Sequence, residues 1–140
     1  MSFCLILLAA GDSKRFNSKI PKPFVKIGGK TLLEHSLIKF SKVIGGKTRQ
    51  ISTLNALKYI KKNKFKCSNV LIHDSARPNI STNLIKKIIN SSSKKTIIPK
   101  IPIHDALKEN ISDDIVLNLP RENFFSTQTP QSFKFKEILF

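Results

Sequence analysis

The chain has no tryptophan and only one tyrosine among its 140 residues. That leaves few rings of the kind that stack on exposed bases, and no nucleic-acid-binding signature is present. Its two cysteines, Cys4 and Cys67, are too few for a disulfide framework, and no Cys/His cluster has zinc-ligand spacing. Cys4 lies in an apolar run and reads as a small buried residue. No apolar run approaches the ~20 residues of a membrane span. No basic region precedes a long apolar segment at the start, so a secretory signal is not expected. These absences fit a reducing cytoplasm and no membrane partner.

Carboxylates are scarce too: 9 acidic residues face 25 basic ones, a net charge of +16. Such an excess suits an anionic partner, either nucleic acid or phosphorylated small molecules. The bland alternative is a lysine-rich composition spreading cations over solvated faces. Lys58, Lys61, Lys62, Lys64 and Lys66, then Lys86, Lys87, Lys94 and Lys95, are scattered rather than gathered. The bland reading therefore covers most of them, and nucleic acid is not the expected partner.

What is present is ordinary for one globular domain. Hydrophobic residues make up 40% of the chain, and a chain of this length buries roughly two-thirds of its unfolded surface. The organising stretch is LILLAAGDSKRFNSKIPKPF, residues 5–24. Leu5-Ile6-Leu7-Leu8 is the kind of run that forms a strand buried on both faces. Ala9, Ala10 and Gly11 let backbone N–H groups approach a ligand closely. Lys14, Arg15, Lys19 and Lys22 follow, with Pro21 and Pro23 stiffening the exit. A buried strand ending in small residues and converging cations suits a polyphosphate, at the strand end where open α/β sheets bind ligands.

Downstream, residues 31–42 read as an amphipathic helix with Leu32, Leu33, Ser36, Leu37 and Phe40 on one face. Thr31 and Glu34 make a capping box, and His35 reads as a tolerated helix residue. Residues 43–46 are a very short strand at most. A second helix spans about 48–62, its apolar positions Ile51, Leu54, Leu57 and Ile60 recurring at three-residue steps. A buried-type strand at 69–73 leads to a third helix over about 82–91. Strands are expected at 96–101 and 115–119, with residues 109–114 as the loop of a hairpin arm within about 101–121. Residues 127–133 read as turn-like and 135–140 as a helix. This alternation predicts a single α/β domain over 1–140, a mostly parallel sheet with helices on both faces. The sheet looks underpopulated, because the helix ending near Lys42 meets Gly45-Gly46 almost at once.

Two Gly-Gly-Lys-Thr copies, 28–31 and 45–48, tempt a P-loop assignment. The glycine that motif requires is replaced by Phe24 and Ser41, so both fail. Gly28-Gly29 then reads as a plain turn, while Gly46 and Ser52 remain nucleotide contacts at a helix N-terminus. His73-Asp74-Ser75 has the residue types of a hydrolase triad, but consecutive strand side chains point to opposite faces. Asp74 at a strand end reads as a Mg²⁺ ligand or as a simple turn former. Arg77 could fork onto a phosphate. Arg15 and Lys22 are either surface charges or the cations that offset charge developing at an α-phosphate. A phosphate nucleophile is already ionised, so no general base is needed.

Together, Ala9-Ala10-Gly11…Arg15, Pro21-Lys22, residues 45–52 (GGKTRQIS), residues 73–78 (HDSARP) and residues 128–131 (QTPQ) fall in an order that resembles the 2-C-methyl-D-erythritol 4-phosphate cytidylyltransferases. The resemblance implies a Rossmann-like, nucleotide-diphospho-sugar-transferase-like fold. It also implies transfer of a cytidylyl group from CTP to methylerythritol phosphate with release of pyrophosphate. Carried over by position, Arg15 and Lys22 are the transition-state stabilisers. Ala9, Ala10, Gly11, Gly46 and Ser52 contact CTP, and Asp74 holds Mg²⁺. Arg77, Asp105 and Arg121 contact the polyol phosphate, reached across a homodimer through the hairpin arm. The chain departs from the pattern at Ser13, where the family has glycine, and at Ala106, where it has threonine. Between Phe40 and Gly45 the family has several tens of further residues, and it continues past Phe140, with a fused cyclase in some relatives. The expected chain is thus an internally and C-terminally shortened member. The rivals are a ribitol 5-phosphate cytidylyltransferase and, from another class, a non-enzymatic basic nucleic-acid module.

Overall fold

The computed structural model describes residues 2–9, 20–37, 48–93, 95–113 and 115–138. Strand β1 (Phe3–Leu8) comes first, then a 3-10 turn over Lys22–Phe24. Next is the small antiparallel ladder of β2 (Lys26–Ile27) and β3 (Lys30–Thr31). Gly28 and Gly29 make its turn at φ +57° and +80°, a backbone region in which side chains are strained. Helices α1 (Leu32–Leu37) and α2 (Arg49–Lys62) precede strand β4 (Asn69–Asp74) and helix α3 (Thr82–Ser91). After them come β5 (Lys100–Pro102), β6 (Leu107–Asn110), β7 (Val116–Leu119), β8 (Phe125–Thr127), β9 (Gln131–Lys134) and α4 (Phe135–Ile138).

Among the described residues the main sheet runs β1-β4-β9. β1 and β4 are parallel, in register from Phe3↔Asn69 to Leu8↔Asp74. β9 lies antiparallel on the other side of β4, pairing Ile72 with Gln131 and Asn69 with Lys134. The apolar runs explain the parallel pair: Ile6, Leu7, Leu8, Val70, Leu71 and Ile72 are all buried. On one face Ile6, Leu8, Val70 and Ile72 pack with Ala56, Leu57 and Ile60 of α2. On the opposite face the Asn69 side chain donates to the Ser92 carbonyl at the end of α3, 3.0 Å away. Helices thus serve both faces, as alternating side chains require.

The helix starts follow their caps. Thr48 accepts from the Ile51 amide at 3.1 Å, and Ser81 accepts from the Leu84 amide at 3.2 Å. The capping box forms in full, with Thr31 N–H donating to Glu34 at 2.6 Å and Glu34 N–H to the Thr31 hydroxyl at 3.1 Å. Those bonds, the backbone one foremost, hold the Glu34 carboxyl below its ordinary pKa. His35 does more than sit in its helix: its Nε2 donates to the Ile27 carbonyl at 2.8 Å and ties α1 to the β2–β3 ladder.

Four expectations need correction. The α/β class holds, but the main sheet is mixed rather than mostly parallel among the described residues. Residues 127–133 are not simply a turn, because Gln131–Lys134 is a strand of that sheet. Of the stretch 96–101 only Lys100 and Ile101 pair in a strand, which runs on to Pro102, with a single bridge at Ile97 to Ser132. On α2 the buried face is Ser52, Ala56, Leu57 and Ile60, while Ile51 and Leu54 are 43% and 44% exposed. The small side chains of Ser52 and Ala56 let the helix lie close on the sheet. The short strand expected at 43–46 lies outside the described residues.

Candidate active site

The site is built where β1 and β4 end together. Leu8 pairs with Asp74, and the Ser75 amide donates to the Leu8 carbonyl at 2.9 Å. Ala9, first of the small residues, therefore leaves the sheet beside Asp74. The loop then turns sharply, with the Arg77 amide donating to the Asp74 carbonyl at 3.0 Å.

His73 fixes this loop from beneath. Its ring is fully buried and bridges the Arg77 carbonyl, 3.1 Å from Nε2, and the Thr129 hydroxyl, 3.0 Å from Nδ1. A carbonyl only accepts, so Nε2 carries a proton. The same Thr129 oxygen accepts from the Asp74 amide at 3.3 Å. His73 is accordingly a structural bridge joining residues 74–77 to the turn at 128–130, not a catalytic relay.

Above it lies a charged cluster. Arg49 Nε stands 3.3 Å from Asp74 Oδ1, and Arg77 Nε stands 3.3 Å from Asp74 Oδ2. Arg77 also donates through Nη1 to the Gln128 side-chain oxygen. The Asp74 side chain is 28% exposed, against 48% for Arg49 and 47% for Arg77. The two more open guanidiniums beside this recessed carboxylate can donate forked hydrogen bonds to phosphate oxygens. Two of these partners, Arg49 and Gln128, stand in the sequence only as members of the GGKTRQIS and QTPQ runs. An arginine opening a helix carries no signal of its own until the fold sets it opposite a strand end.

The remaining site candidates are distributed. Lys22 opens an exposed 3-10 turn behind Pro21. Ser52 is fully buried, its hydroxyl donating to the Thr48 carbonyl at 2.7 Å, which commits it to the first turn of α2. Ala10, Gly11, Arg15 and Gly46 lie outside the described residues. Asp105 and Arg121 form a second locus, with Arg121 Nη1 donating to the His104 carbonyl at 2.5 Å. The β5–β8 ladder separates the two loci. Its Lys100–Thr127 end adjoins Gln128, whose amide donates to the Pro99 carbonyl, and its Pro102–Phe125 end leads to Arg121. Beyond it β6 and β7 pair antiparallel, leaving Ile111, Ile115, Val116 and Leu117 exposed.

A mixed α/β sheet with carboxylate and guanidiniums at the ends of its parallel strands defines a fold of the nucleotidyltransferase class. Comparison with known proteins agrees. Residues 39–140 match the family model of 2-C-methyl-D-erythritol 4-phosphate cytidylyltransferase, and residues 5–60 match the MobA-like NTP transferase domain. The chain belongs to the 2-C-methyl-D-erythritol 4-phosphate cytidylyltransferase family. It is 42% identical to the bifunctional enzyme IspD/IspF of Pelagibacter ubique, with 99% of this chain and 44% of that protein covered. With the cytidylyltransferase of Thermosipho melanesiensis the identity is 33%, over 93% of this chain and 72% of the relative. The crystal structure of the Francisella tularensis enzyme superposes with a TM-score of 0.79 at 26% identity, covering 99% of this chain and 75% of that one. The chain thus spans under half of its bifunctional relative and about three-quarters of the others. The Pelagibacter alignment runs over 168 residues against 140 here, so that relative carries at least 28 residues this chain lacks within the shared span.

Proposed function

We propose that this chain transfers the cytidylyl group of CTP to 2-C-methyl-D-erythritol 4-phosphate, releasing pyrophosphate, as a cytoplasmic enzyme. The observation that carries the reading is Asp74 flanked by Arg49 and Arg77 at the paired ends of β1 and β4, beside Ala9. Among the described residues no group of three or more His, Cys, Asp or Glu could form an all-protein cage for a metal. A single recessed carboxylate suits Mg²⁺, which keeps several waters and shares its shell with substrate phosphates. Asp74 would hold that ion, which when bound supplies charge neutralisation along the triphosphate.

The chain's own residues do the rest. The amides from Ala9 through Ala10 to Gly11 cradle the triphosphate, joined by Gly46, and Ser52 supports the helix start beneath it. Lys22 and Arg15 offset the charge that builds on the α-phosphate as the acceptor's phosphate oxygen attacks and pyrophosphate leaves. Arg77, held by Gln128, orients the acceptor phosphate. Asp105 and Arg121 serve the acceptor from the far end of the ladder, in a neighbouring subunit of a homodimer. The exposed Ile111, Ile115, Val116 and Leu117 support that assembly, since an apolar hairpin gains by burial against a second copy.

The test is direct. Incubated with CTP, Mg²⁺ and methylerythritol phosphate, the protein releases pyrophosphate, and Lys22→Ala lowers the rate about 10²- to 10³-fold. Release no faster than that of the variant refutes the activity. Selective turnover of ribitol 5-phosphate would move the chain to the rival polyol.

A further inference from the structure

We propose that Arg49 is a positioning residue: it keeps Asp74 closed to a bare divalent cation and yields it when a triphosphate arrives. The inference rests on the reading of Asp74 as the metal-holding carboxylate. Both Asp74 oxygens are engaged, each by a different guanidinium from a different element, at 3.3 Å. The cluster of one carboxylate and two guanidiniums carries a net positive charge. A free dication meets that charge and must also displace an arginine from its oxygen. A magnesium–triphosphate complex is net negative and meets the opposite situation.

The two arginines are not equivalent. Arg77 is also held by the Gln128 side chain, and its backbone is pinned by His73 and the turn. The Arg49 guanidinium bonds Asp74 alone among the described residues, and its side chain is nearly half exposed. It is therefore the one free to swing. Guanidinium prefers the forked geometry of phosphate oxygens, so a bound triphosphate draws Arg49 off Oδ1. That oxygen is then open to the cation carried in with the nucleotide. Arg49 stands at the first position of α2, where the helix N-terminus adds to the attraction for anions.

The experiment titrates Mn²⁺ into the full chain, read by electron paramagnetic resonance, with and without CTP and with no acceptor present. Arg49→Gln is expected to tighten nucleotide-free Mn²⁺ binding about fivefold, the scale of one exposed ion pair, and to weaken CTP binding severalfold. Arg49→Lys keeps the charge and loses the fork. It should leave nucleotide-free Mn²⁺ binding near that of the wild type while still weakening CTP. Unchanged or weaker nucleotide-free binding in Arg49→Gln, with Asp74→Asn still abolishing Mn²⁺ in the CTP complex, overturns the proposal and spares the metal reading. If Asp74→Asn leaves Mn²⁺ in the CTP complex untouched, both fall.

Discussion

At the carboxyl ends of β1 and β4 the chain leaves the sheet through Ala9 and Asp74, and the groups gathered there are charged and partly open to water. At the amino ends of the same two strands the bonds joining the Ser2 and Ser68 segments are all between neutral groups. The Ser2 amide donates to the Ser68 hydroxyl at 3.1 Å, and that hydroxyl donates to the Ser2 carbonyl at 2.8 Å. The Ser68 amide returns a bond to the Ser2 side chain at 3.1 Å, and Phe135 N–H closes on the Ser68 carbonyl at 3.0 Å. Exposed ion pairs hold little stability and exchange partners readily, whereas neutral serine–backbone bonds at a strand entry gain nothing from an incoming anion. One end is therefore a fastening, and the other is a place where a ligand can compete.

The sharpest way to break this comparison is Asp74→Asn. It should lower pyrophosphate release about 10³-fold, at the upper end of the effect of removing one preorganised charged group, and leave the urea midpoint nearly unchanged. A loss below tenfold in kcat/KM would show that the chemistry lies elsewhere. Next in size is Leu7→Ala, one residue inside the carboxyl end of β1 and fully buried. A cavity there should cost about 2–5 kcal/mol in urea unfolding. The contrast is Leu54→Ala on the outer face of α2, 44% exposed, which should stay within about 0.5 kcal/mol.

The fastened middle of the sheet was legible because runs such as LILL and NVLI have few ways to be buried other than as central strands. Thr31 and Glu34 announced the start of α1 equally well, since a capping box satisfies orphan amides. The face of α2 was not legible: apolar residues surround that helix, and the winning face is chosen by small residues that fit against the sheet. Gln131–Lys134 was missed because a four-residue strand with two long polar side chains has no pattern of its own and is made by pairing with β4. At the site, Asp74 and Arg77 stood out as a motif. The role of Arg49 depends on a contact spanning twenty-five positions in the chain, which no local spacing reveals.

Ser68→Ala tests the fastening itself. It removes a hydroxyl that both donates and accepts, so the expected loss is about 1 kcal/mol, with kcat and both KM values unchanged. A drop in kcat would show that the two ends are coupled through the strands and would blur the contrast drawn above.

The smallest effect belongs to Cys67, at the same amino end. Its thiol donates to the Asn69 carbonyl at 3.1 Å, and its pKa is pushed up to about 12, chiefly by burial and then by hydrogen bonding with Cys4. A raised pKa means the folded chain keeps the proton that the unfolded chain releases near the ordinary thiol value of about 8.5. The contribution is thus complete below that pH and is lost as pH climbs toward the folded value. Because the side chain is only half-buried, solvent screening keeps the loss between pH 7.5 and 10 under about 1 kcal/mol. Urea unfolding of the wild type and of Cys67→Ser over that range isolates the thiol from the many lysines, which titrate alike in both. The wild type should lose more stability than the variant, and iodoacetamide should alkylate Cys67 more slowly than a free thiol at pH 8. Equal slopes with rapid alkylation would mean that this end of the strand pair admits water as freely as the site does.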